Sequence, residues 1–117
     1  MSYDLAVWDG ARPAADRWAE RLFSQLYDKY ILTDATQPPS PRILRCIATL
    51  VTKWPDLSID NLDTCPWTCS PLISNARGPM FYFSMNYEMA DDVVAFVIET
   101  AKRLSLVCYD PQTRKLR

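Results

Sequence analysis

Carboxylates and thiols carry most of the usable chemistry in this 117-residue chain, which has fourteen Asp+Glu, four Cys and no His. The missing imidazole excludes Ser-His-Asp and Cys-His nucleophile activation, His-containing zinc sites and imidazole proton shuttles within the chain. With Gly10 and Gly78 as the two glycines, neither G-x-G-x-x-G nor G-x-x-x-x-G-K-[ST] can be written, so Gly-rich phosphate cradles are excluded too. What remains is a pattern of charge. Residues 1–53 carry seven bases and six acids, residues 54–101 one base and seven acids, and residues 102–117 five bases and one acid, which together give the formal net charge of −1. The acidic middle comprises Asp56, Asp60, Asp63, Glu88, Asp91, Asp92 and Glu99, opposed by Arg77.

Several chemistries compete for these groups. Asp56, Asp60 and Asp63 are hard oxygen donors, yet they lack the alternating ligands, mid-loop glycine and terminal glutamate of an EF-hand, so no metal site is expected. A tertiary carboxylate pair would serve a hydrolase, but no spacing in the sequence singles one out, and the expectation is a protein that is not an enzyme and holds no cofactor. Glu88, Asp91 and Asp92 fit the first turns of a helix, where the dipole alone explains them. The functional alternative is an acidic surface for a basic partner, made from Asp56, Asp60, Asp63, Glu88, Asp91 and Asp92, with Trp67 as an aromatic anchor. Cys65-Pro66-Trp67-Thr68-Cys69 spaces its thiols by three residues rather than the two of thioredoxin-like motifs, and no second pair completes a zinc site. Cys46 and Cys108 lie in apolar segments as small hydrophobes, and four reduced thiols are expected. The basic end, Arg114, Lys115 and Arg117, is too small a patch for nucleic acid and reads as a solvated terminus.

The elements that must position these groups follow from periodicity. Residues 3–8 are a buried strand closed by Asp9-Gly10. Ala15, Trp18, Leu22, Leu26 and Tyr30 mark one face of an amphipathic helix, and the stretch from Thr33 to Ser40, with Asp34, Thr36, Pro38 and Pro39, is a connection. Ser40-Pro41 opens a second helix whose apolar face is Ile43, Ile47, Leu50, Val51 and Trp54, ended by Pro55. Asp56 to Pro71 is an irregular loop, long enough to be functional, that packs a turn through Leu57, Ile59 and Leu62. Leu72–Ser74 and Met80–Met85 form a hairpin about Gly78, the second strand apolar on both faces. Asn86 caps a third helix, and Leu106–Tyr109 is the last strand, cut by Asp110-Pro111.

With 49% apolar residues, one compact α/β (α+β) domain over residues 1–117 is expected. Its order is the ferredoxin-like βαββαβ, with the second helix and the acidic loop as an insertion. The Leu5–Trp8 and Met80–Met85 strands would lie centrally and parallel, with helices on one face and the other face left to the insertion, a ligand or a homodimer partner. No apolar window reaches membrane-span length and no export signal opens the sequence, so a cytoplasmic protein without membrane contact is expected.

Tyr3-Asp4-Leu5-Ala6-Val7-Trp8, Cys65-Pro66-Trp67 with Pro71-Leu72, and Leu106-Val107-Cys108-Tyr109-Asp110-Pro111-Gln112 resemble a small bacterial family similar to the immunity partners of polymorphic or contact-dependent toxins. The resemblance runs the length of the chain and implies a protein that binds a cognate toxin domain. A basic nuclease site is the kind of surface that an acidic patch would occlude by mimicking phosphate charge. The rival expectations are a small-molecule site on an exposed sheet face and a homo-oligomeric structural module.

Overall fold

A computed structural model describes residues 2–33 and 36–117; Asp34 of the expected connection lies outside them. The fold is α+β. Strands β1 (Ser2–Trp8), β2 (Ala76–Arg77), β3 (Met80–Asn86), β4 (Val107–Asp110) and β5 (Lys115–Leu116) make one antiparallel sheet in the spatial order β2-β3-β1-β4-β5. Three α-helices pack on it: α1 (Asp16–Leu26), α2 (Pro41–Lys53) and α3 (Ala90–Arg103).

The two-sided apolar character of β1 and β3 is explained by cover on both faces. Leu5 lies opposite Phe83 and Val7 opposite Phe81, and these four join Ile43, Leu50, Val93 and Val97 of α2 and α3 in one core. The alternate residues, Ala6 opposite Tyr82 and Trp8 opposite Met80, pack with Val107, Tyr109 and the α1 residues Ala19, Leu22 and Phe23 in a second. The strand alternation therefore makes two half-cores that need separate helices. This corrects the expected arrangement: α2 is the partner of α3, α1 crosses alone to the other face, and no sheet face is left for a ligand. β1 and β3 are antiparallel rather than parallel. The chain leaves β1, returns at β2 in the same direction, and is reversed by the turn at Gly78 before it meets β1. Gly78 has φ +55°, and a Cβ there would stand 3.0 Å from Tyr30 Cε1.

Leu72–Ser74 is not a strand. After Pro71 the chain forms a 3-10 turn, Leu72–Asn75, because the Leu72 N–H donates to Asp56 Oδ1 at 2.8 Å and Ser74 N–H donates to the Pro71 carbonyl at 3.0 Å. The hairpin strand shrinks to β2. Beyond it the outer edge of β3 is completed by the loop: Thr68 N–H donates to the Ser84 carbonyl at 3.1 Å, and Asn86 N–H donates to the Pro66 carbonyl at 2.7 Å. The first helix is also shorter than its apolar stripe, closing in a π turn at Tyr27–Ile31.

Caps behave as their chemistry predicts. Ser40 Oγ accepts from Ile43 N–H at 3.3 Å and donates to Asp9 Oδ2 at 3.0 Å, with Pro41 opening α2. Asn86 Oδ1 accepts from Met89 N–H at 3.0 Å, but this corrects its expected place: it caps the 3-10 turn Tyr87–Met89, and α3 follows from Met89 without a side-chain cap of its own.

The basic end is not merely a solvated terminus. β5 pairs with β4, and Arg117 N–H donates to the Cys108 carbonyl at 2.9 Å. In the β1–β4 register the residue facing Asp4 would be Pro111, which has no N–H to give. The Gln112 side chain replaces it, its Oε1 accepting from Asp4 N–H and its Nε2 donating to the Asp4 carbonyl, both at 2.6 Å.

Candidate protein-docking site

The loop from Asp56 to Pro71 is held from within by one side chain. Asn61 Oδ1 accepts from Ser58 N–H at 2.7 Å, and Asn61 Nδ2 donates to the Asp56 and Pro55 carbonyls at 2.9 and 3.3 Å. Its own carbonyl accepts from Thr64 N–H and Cys65 N–H at 3.1 and 2.9 Å. Ser58, Asp60 and Asn61 are the turn-forming types that satisfy a backbone locally, and this composition was the available signal for Asn61. The two ends of the loop are tied to each other, Leu57 N–H donating to Ser70 Oγ at 3.0 Å, and the loop is fastened to the end of α2 where Trp67 Nε1 donates to the Trp54 carbonyl at 2.7 Å.

This framework turns apolar side chains outward. Ile59 is 84% exposed, Leu62 64% and Leu57 47%, so the expected inward-packed turn is corrected. Asn61 supplies the backbone of the loop with hydrogen bonds, and these apolar side chains face solvent. Asp60 and Asp63 are exposed beside them, while Asp56 is half-buried and engaged with Leu72. No Lys or Arg occurs between Lys53 and Arg77. Arg77 is turned to other work, its Nη1 donating to the Thr33 carbonyl at 2.5 Å.

The remaining acids are distributed elsewhere. Glu88 is exposed in the turn before α3; Asp91 borders a cleft with Tyr3 and Arg117; and Asp92 lies with Glu99 beside Lys53 and Trp54 in an open groove between α2 and α3. Trp67 is 3% exposed, with T-shaped ring contacts to Trp54 and Phe83 at 6.1 and 6.0 Å, so it is a core strut and offers no surface anchor.

A second polar cluster joins the two ends of the chain. Asp110 is fully buried and accepts from Gln112 N–H at 3.0 Å, Gln112 Nε2 at 2.7 Å and the Tyr3 hydroxyl, with Arg117 Nη1 at 3.4 Å. Burial first, and then its bond to this carboxylate, pushes the Tyr3 phenol up to about 12. On the other sheet face the Tyr82 hydroxyl donates to Asp4 Oδ2 at 2.9 Å, and burial followed by that bond raises its pKa also. These bonds make the N-terminal and C-terminal motifs one interlocked framework.

The thiols are all free, and burial pushes Cys46 and Cys108 up to about 12, away from nucleophilic reactivity. Cys65 is buried and Cys69 exposed. Among the described residues no three Cys, Asp or Glu side chains converge as metal ligands, and no helix is long and apolar enough to cross a membrane. The arrangement is an α+β scaffold presenting an internally hydrogen-bonded, acidic and apolar loop. Compared with known protein families, curated proteins and solved structures, the chain matches none.

Proposed function

We propose that this chain is a cytoplasmic immunity-type protein that binds and neutralises a basic cognate toxin domain, without chemistry of its own. The observation that carries the proposal is the loop tip: Ile59 and Leu62, with Asp60 and Asp63 beside them, are exposed on a backbone that Asn61 holds in place. Apolar side chains give a docked interface its free energy, and the carboxylates select a positively charged partner and speed its approach. Pre-ordering by Asn61 lowers the entropy lost on binding. Resemblance to immunity proteins of polymorphic or contact-dependent toxins points the same way, and a nuclease, whose site must attract phosphate, is a suitable target. The strand order β2-β3-β1-β4 supports a ferredoxin-like core made with α2 and α3, to which α1 and β5 are additions. Burial of both sheet faces weighs against the rival small-molecule site.

The test is capture from the native host with wild-type protein and with a variant carrying Asp60→Lys and Asp63→Lys. Wild type should retain a basic protein that is released by high salt, encoded beside this chain, and inhibited by it. Unchanged capture and unchanged protection by the folded double variant would remove the loop from the interface and the proposal with it.

A further inference from the structure

The acidic loop has a counterpart of opposite character on the helix that crosses alone to the second sheet face. Trp18 of α1 is 45% exposed, and the guanidinium carbons of Arg17 and Arg21 each stand 5.1 Å from its ring centroid. Neither guanidinium has a carboxylate at ion-pair distance among the described residues. Two nearby acids are occupied by the C-terminal hairpin: Glu20 pairs with Arg114 at 3.7 Å, and Asp16 Oδ1 accepts from Leu116 N–H at 2.9 Å. Asp28 lines the same shallow groove as Arg17 and Arg21. The end of the chain is also held by Arg12, whose Nη1 donates to the Arg117 carbonyl at 3.1 Å. The exposed indole thus carries two guanidinium groups with no carboxylate partner among the described residues, and Trp and Arg are among the side chains most enriched at binding hot spots.

We infer that this surface docks the acidic loop of a second copy of the chain. Asp60 and Asp63 flank exposed Leu62 along the chain, with exposed Ile59 adjoining; Arg17 and Arg21, one helical turn apart, both reach the ring of exposed Trp18. Contact sets the indole against Ile59 and Leu62 while each guanidinium takes a carboxylate, a pairing suited to its planar fork. The opposed signs and the shared apolar centre favour this occupant over nucleic acid, which would use the cations but has no partner role for the loop. The two surfaces differ, so the contact is head-to-tail. Few residues take part, so the association is weak, reversible and sensitive to salt. Self-contact stands without the toxin proposal; its consequence, that free protein shields its loop until a toxin competes for it, rests on that reading.

Sedimentation velocity of the full chain tests the inference. In low salt the average sedimentation coefficient should rise with concentration between about 10 µM and about 1 mM, and the rise should vanish in about 0.5 M salt. Arg17→Glu with Arg21→Glu, and Asp60→Lys with Asp63→Lys, should each give a folded monomer by sedimentation and circular dichroism. An equimolar mixture of the two variants should associate again, because each supplies the surface that the other has lost. A wild type that stays monomeric at about 1 mM, variants that associate as wild type does, or a mixture that stays monomeric overturns the inference. Oligonucleotide binding by a monomeric wild type, abolished by R17E/R21E, overturns it in favour of nucleic acid. If D60K/D63K loses self-association yet still protects against the toxin, the self-contact holds and the toxin-docking role of the loop falls; the reverse result separates them the other way.

Discussion

Replacing Asp110 with Ala removes the acceptor on which the two ends of the chain converge. The carboxylate is fully buried and takes hydrogen bonds from Tyr3, from the main chain and side chain of Gln112, and from Arg117. Hydrogen bonds to a charged group are worth about 1.5–3 kcal/mol each, but the exposed Gln112 and Arg117 side chains regain water when released. Counting mainly the part-buried Tyr3 hydroxyl and the Gln112 main-chain N–H, the expected loss is about 3–4 kcal/mol. That is a large share of the roughly 5–15 kcal/mol that holds a domain of this size together, and it corresponds to a melting temperature lower by about 10–20 °C. Urea titrations of wild type, Asp110→Ala, Tyr3→Phe and the double variant measure it. The cycle should give a Tyr3–Asp110 coupling of about 1 kcal/mol or more. A loss below about 1 kcal/mol for Asp110→Ala, or additive single changes, would refute the reasoning that this cluster locks the sheet.

Asn61→Ala should release the loop while sparing the fold: amide exchange at residues 58–65 should quicken about tenfold or more, with global stability lowered by about 1 kcal/mol at most. A thiol reagent should label Cys69 rapidly in native protein and the other three cysteines only on unfolding, as counted by mass spectrometry. Raising the pH should destabilise the protein between pH 10 and about 12, because there the unfolded chain has released a Tyr3 proton that the folded chain still holds. Cys46 and Cys108 add to this loss from about pH 9 upward. Tyr3→Phe should therefore show a shallower fall of stability with pH than wild type in alkaline urea titrations; equal slopes would contradict the assignment.

Local signals in the chain translated well where a single residue dictates a local geometry. Ser40-Pro41, Asn86 and Gly78 mark a helix start, a cap and a turn through chemistry confined to a few neighbours. Pairing direction and layer assignment were less legible, because Leu5 and Ala6 look equally apolar whichever helix covers them. The same ambiguity hid α1 on the far face. Leu72 has the local signature of a strand, and the acceptor that turns it into a 3-10 turn, Asp56, lies sixteen residues earlier. At the candidate site the carboxylates were visible as an acidic run, but apolar type alone could not tell outward Ile59 from inward Trp67. That distinction depends on Asn61 consuming the backbone of the loop and on Trp54 offering its carbonyl to the indole.

The division of labour within the loop bears on how such a protein can change. Asn61 maintains its shape from within and Trp67 and Asp56 tie it to the body, whereas Ile59, Asp60, Leu62 and Asp63 project into solvent. Exposed positions away from such bonds tolerate substitution at a cost of about 0.5 kcal/mol or less. The tip can therefore diversify one residue at a time on an unchanged mount, in the way that antibody loops vary on a constant sandwich. Under the proposed function, the protein could be retargeted to a new partner without any change to the residues that fold it.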